Sequence, residues 1–218
     1  MTGLQERKIM NNKILRDLSY GVYAVGSLDK DRKVGCIANS AMQITSDPQT
    51  IAISINHDNY TNECIKKTGK FSLSVLNEES DPTIIGTFGF QTSKDTDKYQ
   101  EVKCEMVENL PVLTDTNGYM VCEVVSTLET ETHTIFVGKV IAMDKIADKT
   151  PMTYKYYHEV LKGKSPKKAP TYVDIEEEIK GNRWKCLMCG YIYEGDELPE
   201  DFTCPICGQP REMFEKIN

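Results

Sequence analysis

A chain of 218 residues has room for one medium domain and a small one, and 39% hydrophobic with 27% charged residues is the composition of an ordinary globular protein. A formal net charge of -7 at pH 7 argues against binding to nucleic acid or to an anionic membrane surface, both of which need basic patches. No stretch approaches the roughly 18 apolar residues of a membrane span, and "MTGLQERKIMNNKIL" lacks the apolar core of a secretory signal, so the expectation is a cytoplasmic protein.

The first 172 residues read as strand-rich. Residues 21–28 ("GVYAVGSL") are apolar and small, and "DKDRK" after them reads as a turn; residues 35–45 ("GCIANSAMQIT") mix small and apolar residues. In 50–56, Ile51, Ile53 and Ile55 fall on one side, the period of a half-buried strand. Phe71, Leu73 and Val75 alternate in the same way in 71–76, with that face expected inward. Residues 102–108, 119–129 and 133–144 supply further strands. Two short helices are predicted between them. One, over 59–70, ends at Gly69 as a C-cap; the other, over 80–90, opens on Ser80, Asp81 and Pro82. Many strands and few helices predict a mainly β fold, closed or nearly closed into a barrel. Neither a dinucleotide-binding GxGxxG nor a Walker motif occurs.

From residue 158 the composition turns Lys/Pro-rich, then acidic with a short helical candidate in "VDIEEEIKG", and ends in Gly-Asn at 182. The expected organisation is a first domain over 1–172, a linker over 173–182 and a small domain over 183–218.

Of eight cysteines, Cys36, Cys64, Cys104 and Cys122 are isolated in apolar or mixed segments, where a lone cysteine reads as a small buried hydrophobe. The other four lie in "RWKCLMCGYIYEGDELPEDFTCPICGQP" (183–210) as Cys186-x2-Cys189 and Cys204-x2-Cys207. In a long chain of cytosolic type such pairs bind metal rather than form disulfides. Each pair curls so that both sulfurs point at one ion, and S4 geometry selects zinc or iron. Gly190 and Gly208 follow the second cysteine of each pair, where positive φ turns backbone N–H groups toward sulfur.

This segment resembles rubredoxin in Trp184, "CxxCGYIY" (186–193), "LPEDFTCPICG" (198–208) and Phe214. The resemblance implies one iron held by Cys186, Cys189, Cys204 and Cys207, used for one-electron transfer, over a small core of Trp184, Tyr191, Phe202 and Phe214. The 14 residues between the pairs (190–203) are fewer than in full-length rubredoxins, as in the trimmed modules of multidomain electron-transfer proteins; structural zinc is the alternative. So small a module needs its metal for much of its folding free energy.

Residues 35–76 resemble the flavin reductase-like FMN-binding split barrels, as do "FGFQTSKDTDKY" (88–99) and "ETHTIFVGKVIAMD" (131–144). The resemblance covers roughly 12–172. It implies Ile37, Ala38, Asn39 and Ser40 beside the flavin ring, with Asn56, His57, Asn59 and Thr61 toward the phosphate. Small residues let the backbone approach a flat ring, and a helix N-terminus near Thr61 suits a phosphate. Phe90 and Lys98 join this set, residues 88–99 being placed to reach the flavin of another copy, although a solvated charged turn is the better reading of Asp97 and Lys98. His133 is expected on the nicotinamide or flavin side, against the plainer reading of a histidine hydrogen-bonded at a strand start. Two positions depart from the family pattern: Val34-Gly35 replaces Asn-Gly, and His57 stands where lysine is frequent, a weaker phosphate counter-charge.

The arrangement as a whole resembles the high-molecular-weight rubredoxins of anaerobes, to which "MTYKYYHEVLKGKSPKKAPTY" (152–172) is also similar. It implies an enzyme that passes electrons from NAD(P)H through FMN to an Fe(Cys)4 centre and on to a partner, often a flavodiiron oxygen or nitric oxide reductase. A homodimer through the barrel is part of the expectation. Residues 183–218 carry four basic and seven acidic side chains, net -3, suited to a salt-sensitive docking surface. A flavoredoxin-like shuttle that never binds nicotinamide, and a zinc-ribbon binding module, are the rival readings.

Overall fold

The computed structural model describes residues 12–161 and 183–217. The expected linker at 173–182, and the helical candidate within it, lie outside the described residues.

After a 3-10 turn at Asn12–Asp17, the elements run β1 (Tyr23–Asp29), β2 (Arg32–Ala38), β3 (Ala41–Ser46), β4 (Gln49–Asn56), α1 (Tyr60–Thr68), β5 (Lys70–Val75), α2 (Pro82–Phe90), β6 (Cys104–Val107), β7 (Leu110–Leu113), β8 (Gly118–Glu129), β9 (His133–Lys145) and α3 (Tyr154–Glu159). The second module holds β10 (Arg183–Cys186), β11 (Ile192–Glu194), a 3-10 turn at Arg211–Met213 and β12 (Phe214–Ile217). Seven strands form one sheet in the order β2-β1-β5-β8-β9-β4-β3, every pairing antiparallel. Its two edge strands, β2 and β3, are joined by Asn39 and Ser40 alone. Edges linked by two residues cannot lie at opposite ends of a flat sheet, so the sheet curls on itself, and the Ser54 N–H donates to the Ser40 carbonyl at 3.0 Å. Phe71, Phe136, Ile53, Ile65 and Leu73 fill the interior with Val25, Cys36 and Cys122.

The helices end where the sequence says. The Asn59 side chain accepts from the Thr61 N–H as N-cap of α1, and Gly69, at φ 67°, closes it. Asp81 caps α2 through the Thr83 N–H, with Pro82 in the first turn. Two strands depart from the expected alternation. In β5, Ser72 and Ser74 are buried and Val75 is only half-buried, because the β6–β7 hairpin covers the strand's other face: Ser72 Oγ donates to the Pro111 carbonyl, and Ser74 Oγ accepts from the Leu113 N–H at 3.0 Å. In β4, Thr50 and Ala52 are buried beside Ile51 and Ile53. Strand β7 itself is not foreseen, since Pro111 in a run of four demotes it by pattern. Of the isolated cysteines, Cys36, Cys64 and Cys122 are buried as expected, and burial pushes the Cys122 thiol up to about 12. Cys104 is half-buried instead, with Lys33 Nζ 3.3 Å from its sulfur. Among the described residues no helix is long and apolar enough to cross a membrane.

The second module is a three-stranded sheet, β11-β10-β12. Phe202 packs edge-on against Tyr193 and Phe214, at 4.8 and 5.3 Å between ring centres, and stacks toward Tyr191 at 6.4 Å. Trp184 is half-buried, with Lys216 over its ring.

Tight packing of β9 on β5 gives a direct test. A Cβ on Gly138 would lie 2.7 Å from both Cys122 Cβ and Phe71 Cε1. Gly138→Ala is expected to lower stability by about 1–3 kcal/mol through overpacking, read as a lower urea midpoint with an unchanged m-value.

Candidate functional site

A cavity of about 450 Å3 opens where β2 and β4 end, bounded by the N-terminus of α1, the C-terminal half of α2 and α3. That volume is in the range of cofactor sites. Ile37, Ala38, Asn39, Asn56, Asn59, Phe90 and His133 all line it, so residues spread over nearly a hundred positions meet on one wall. Asn56 and His133 are directly paired in the β4–β9 register. His133 Nδ1 lies 2.8 Å from Thr132 Oγ1, while its Nε2 is buried without a hydrogen-bond partner. Burial, then the neighbouring His57, holds the His133 pKa below its ordinary value, so the ring is neutral at pH 7.

Four expected site residues are not on the lining. Ser40 Oγ donates to Asn39 Oδ1 at 3.0 Å. His57 Nε2 lies 2.9 Å from Glu129, which also pairs with Lys66 at 2.8 Å and accepts from Thr134 Oγ1. Thr61 is fully buried at the start of α1, and its Oγ1 has no hydrogen-bond partner. Lys98 is 2% exposed, so the solvated-turn reading is overturned. Its Nζ donates to the Gly35 carbonyl at 2.9 Å and the Phe88 carbonyl at 3.1 Å, tying β2 to the end of α2. Desolvation lowers its pKa from 10.5 to about 8, against a smaller upward pull from Cys36. The cavity also uses Phe88 and Gly89, from the stretch expected near a flavin, and Tyr154 and Tyr157 of α3 and Ile85 of α2, which sequence reasoning missed; the 3–4 spacing of 85, 88 and 89 was the available signal for Ile85. The orphaned Nε2 of His133, the amide side chains of Asn39, Asn56 and Asn59, and the small Ala38 and Gly89 together fit a flat, polar-edged ligand with an anionic end near α1.

The four knuckle cysteines are buried, and their sulfurs lie within 4.8 Å of one another. Cys186 and Cys207 are 3.6 Å apart at sulfur, Cys189 and Cys204 3.5 Å. Disulfide bonds measure about 2.0 Å, whereas metal–sulfur bonds of about 2.3 Å set tetrahedral edges of about 3.8 Å. The spacing therefore fits a tetrathiolate and excludes paired disulfides. Gly190 and Gly208, at φ 74° and 68°, turn the chain so that backbone N–H groups reach sulfur: Tyr191 to Cys189, Ile206 and Cys207 to Cys204, and Gln209 to Cys207. The mutual hydrogen bonds couple the sulfurs, drawing the Cys204 thiol below its ordinary range and pushing those of Cys189 and Cys207 above it.

Residues 15–163 match the family model described as flavin reductase like domain, and 184–215 match the rubrerythrin, rubredoxin-like domain. A high molecular weight rubredoxin of Moorella thermoacetica is 39% identical over 95% of this chain and 100% of its own length. The chain belongs to the high-molecular-weight rubredoxins. A ferric-chelate reductase (NAD(P)H) of Archaeoglobus fulgidus is 36% identical over 72% of this chain and 94% of its own. The solved flavoredoxin of Methanosarcina acetivorans superposes with a TM-score of 0.57 at 23% identity, over 65% of this chain and 75% of that one, which bears on the fold. Membership makes the chain a flavin-linked electron-transfer oxidoreductase, with an iron-binding four-cysteine site in its second domain.

Buried Lys98 carries a pH signature. Its folded pKa is depressed toward about 8 while the unfolded value is 10.5, so between those values the unfolded state binds more protons and this group's contribution to stability rises with pH. Relative to Lys98→Met, wild type is expected to gain up to about 3 kcal/mol between pH 7.5 and 10, measured by urea unfolding of both proteins across that range.

Proposed function

We propose that the protein accepts electrons from NAD(P)H on an FMN held in the barrel cavity, passes them to iron in the Cys186–Cys189–Cys204–Cys207 site, and delivers them to a partner protein. The observation that carries this reading is the presence, in one chain, of a cofactor-sized cavity and a tetrathiolate packed against the same helix. Bound there, FMN takes electrons in pairs as hydride and gives them singly, and iron in four thiolates takes one at a time. The chain's own residues bind and orient. Ile37 and Ala38 receive the ring, Asn39 and Asn56 offer hydrogen bonds to its polar edge, and Asn59 at the start of α1 receives the phosphate. His133, neutral at pH 7, has Nε2 free for the flavin or the nicotinamide. No protein nucleophile or acid–base pair is required. Lys98 and His57 support the site from outside it, Lys98 by fixing α2 to β2.

The domain limits we propose are 1–172, a linker at 173–182, and 183–218. We also propose a cytoplasmic homodimer. Met42 and Ile44 of β3 and Ile141 and Met143 of β9 are exposed, and their cover by a second copy would remove that apolar surface from water. The acidic surface of the second module suits a transient acceptor such as a flavodiiron reductase. The flavoredoxin likeness keeps a nicotinamide-free shuttle as the second reading.

The optical spectrum of purified protein, with metal analysis, tests the proposal. Flavin and iron–thiolate bands are expected together, both bleaching on anaerobic NADH or NADPH. Cys204→Ser is expected to abolish the iron bands and leave flavin bleaching intact. Bands that neither nucleotide bleaches support the shuttle, and a zinc-loaded sample without flavin refutes both.

A further inference from the structure

The second module does not sit apart from the barrel. Val22, Ile84, Ile85, Phe88, Met152 and Tyr157 of the first domain and Cys186, Cys189, Ile206 and Cys207 of the second belong to one continuous buried cluster. The closest approach is at α2. A Cβ on Gly86 would lie on the Cβ of Cys207 and 2.7 Å from its Cα, and a Cβ on Gly208 would come 3.1 Å from Thr83 Cγ2. Thr83 and Gly86 are three residues apart, so they share one face of the helix. Ile85 and Phe88, turned away from that face, line the cavity. One helix therefore separates the cavity from a ligand cysteine. Tyr157, 4% exposed, also lines the cavity and belongs to the same buried cluster as Cys189, Cys204 and Cys207. The knuckles are covered unequally: Ile206 is 1% exposed in the second, Leu187 54% in the first.

Glycine within a helix costs about 1 kcal/mol relative to alanine. A glycine at 86, facing a cysteine backbone that any side chain would strike, is explained by close approach between the modules and not by the helix.

We propose that the Cys204–Gly208 knuckle and the Thr83/Gly86 face of α2 form a built-in docking surface that holds the four-cysteine site against the cavity wall, with Gly86 as its positioning residue. The proposal rests on the function proposed above. With iron held by the four cysteines and a flavin in the cavity, this docking would let one electron pass from reduced flavin to ferric iron, the flavin proton going to solvent. The first knuckle, with Leu187, stays open to an acceptor.

The test uses the full-length protein loaded with iron or with zinc, as wild type, Gly86→Leu and Gly86→Ala. Amide signals of Thr83 and Tyr157 are expected to be broadened by paramagnetic iron in wild type and sharp with zinc. Gly86→Leu is expected to restore them with iron bound and raise the radius of gyration, leaving the iron bands and flavin content as they were. Bleaching of iron by pre-reduced flavin is expected to slow at least about tenfold. Gly86→Ala, which favours the helix itself, is expected to give an intermediate loss of broadening and covers the case in which leucine prevents folding. Sharp signals in iron-loaded wild type, or broadening unchanged by both substitutions, overturn the proposal. Broadening that both variants relieve, in a protein whose iron no nicotinamide bleaches, upholds the docking surface and refutes the proposed function instead.

Discussion

The two-residue link between β2 and β3 is the constraint from which the cavity follows. It makes the edges of one antiparallel sheet neighbours in sequence, and only a curled sheet satisfies that. Curling brings Ile37–Ser40 to the seam beside the ends of β4 and β9, where Asn56 and His133 are register partners. The N-terminus of α1 falls at the same place because Asn59, three residues past the end of β4, caps it. An apolar floor, amide side chains and the capped N-terminus of a helix are thus assembled by topology before any ligand arrives.

Helix α2 is the second shared element. Its last turn would leave carbonyl groups without intrahelical partners, and a buried ammonium meets one of them: Lys98 donates to Phe88 and, across the gap, to Gly35 of β2. Burying that charge is unfavourable, as its depressed pKa records. The arrangement persists because the same nitrogen closes two carbonyls and sets the distance from helix to sheet. That distance also sets how closely α2 approaches β2 at the cavity, where a Cβ on Gly89 would make ordinary contact with Ile37 Cγ1 at 3.6 Å.

What could be read in the sequence was whatever local chemistry specifies. The caps of α1 and α2 lie within four residues of what they bind, and the paired CxxC motifs carry their geometry in their spacing. Most of the wall residues came from ordered motifs: Ile37 through Asn39, Asn56, Asn59 and His133 all reach the cavity. What escaped depends on distant partners. Ser72 and Ser74 look like the wet side of a strand until the β6–β7 hairpin covers them and accepts or donates their hydrogen bonds. Lys98 looks like a solvated turn until two carbonyls some ten and sixty residues away converge on it. Tyr154 and Tyr157 look like surface aromatics, and Gly86 like a weak point in a helix, because the cavity wall that the tyrosines join and the Cys207 that Gly86 meets lie far off in sequence.

The small module adds a coupling between folding and position. Its own core is a few aromatic rings around Phe202, too little apolar surface to hold so short a chain without a metal. The residue that meets Gly86 is Cys207, itself one of the four ligands. The surface presented to α2 is therefore the backbone that metal binding fixes: positive φ at Gly208, the N–H groups directed at sulfur, and the Ile206 side chain turned inward. A separately folded electron carrier on a tether would keep its docking face and its ligand turn in different places. Here they coincide, so loading the metal and shaping the contact are one event, and the metal site is carried to the wall of the cavity by the same five residues that build half of it.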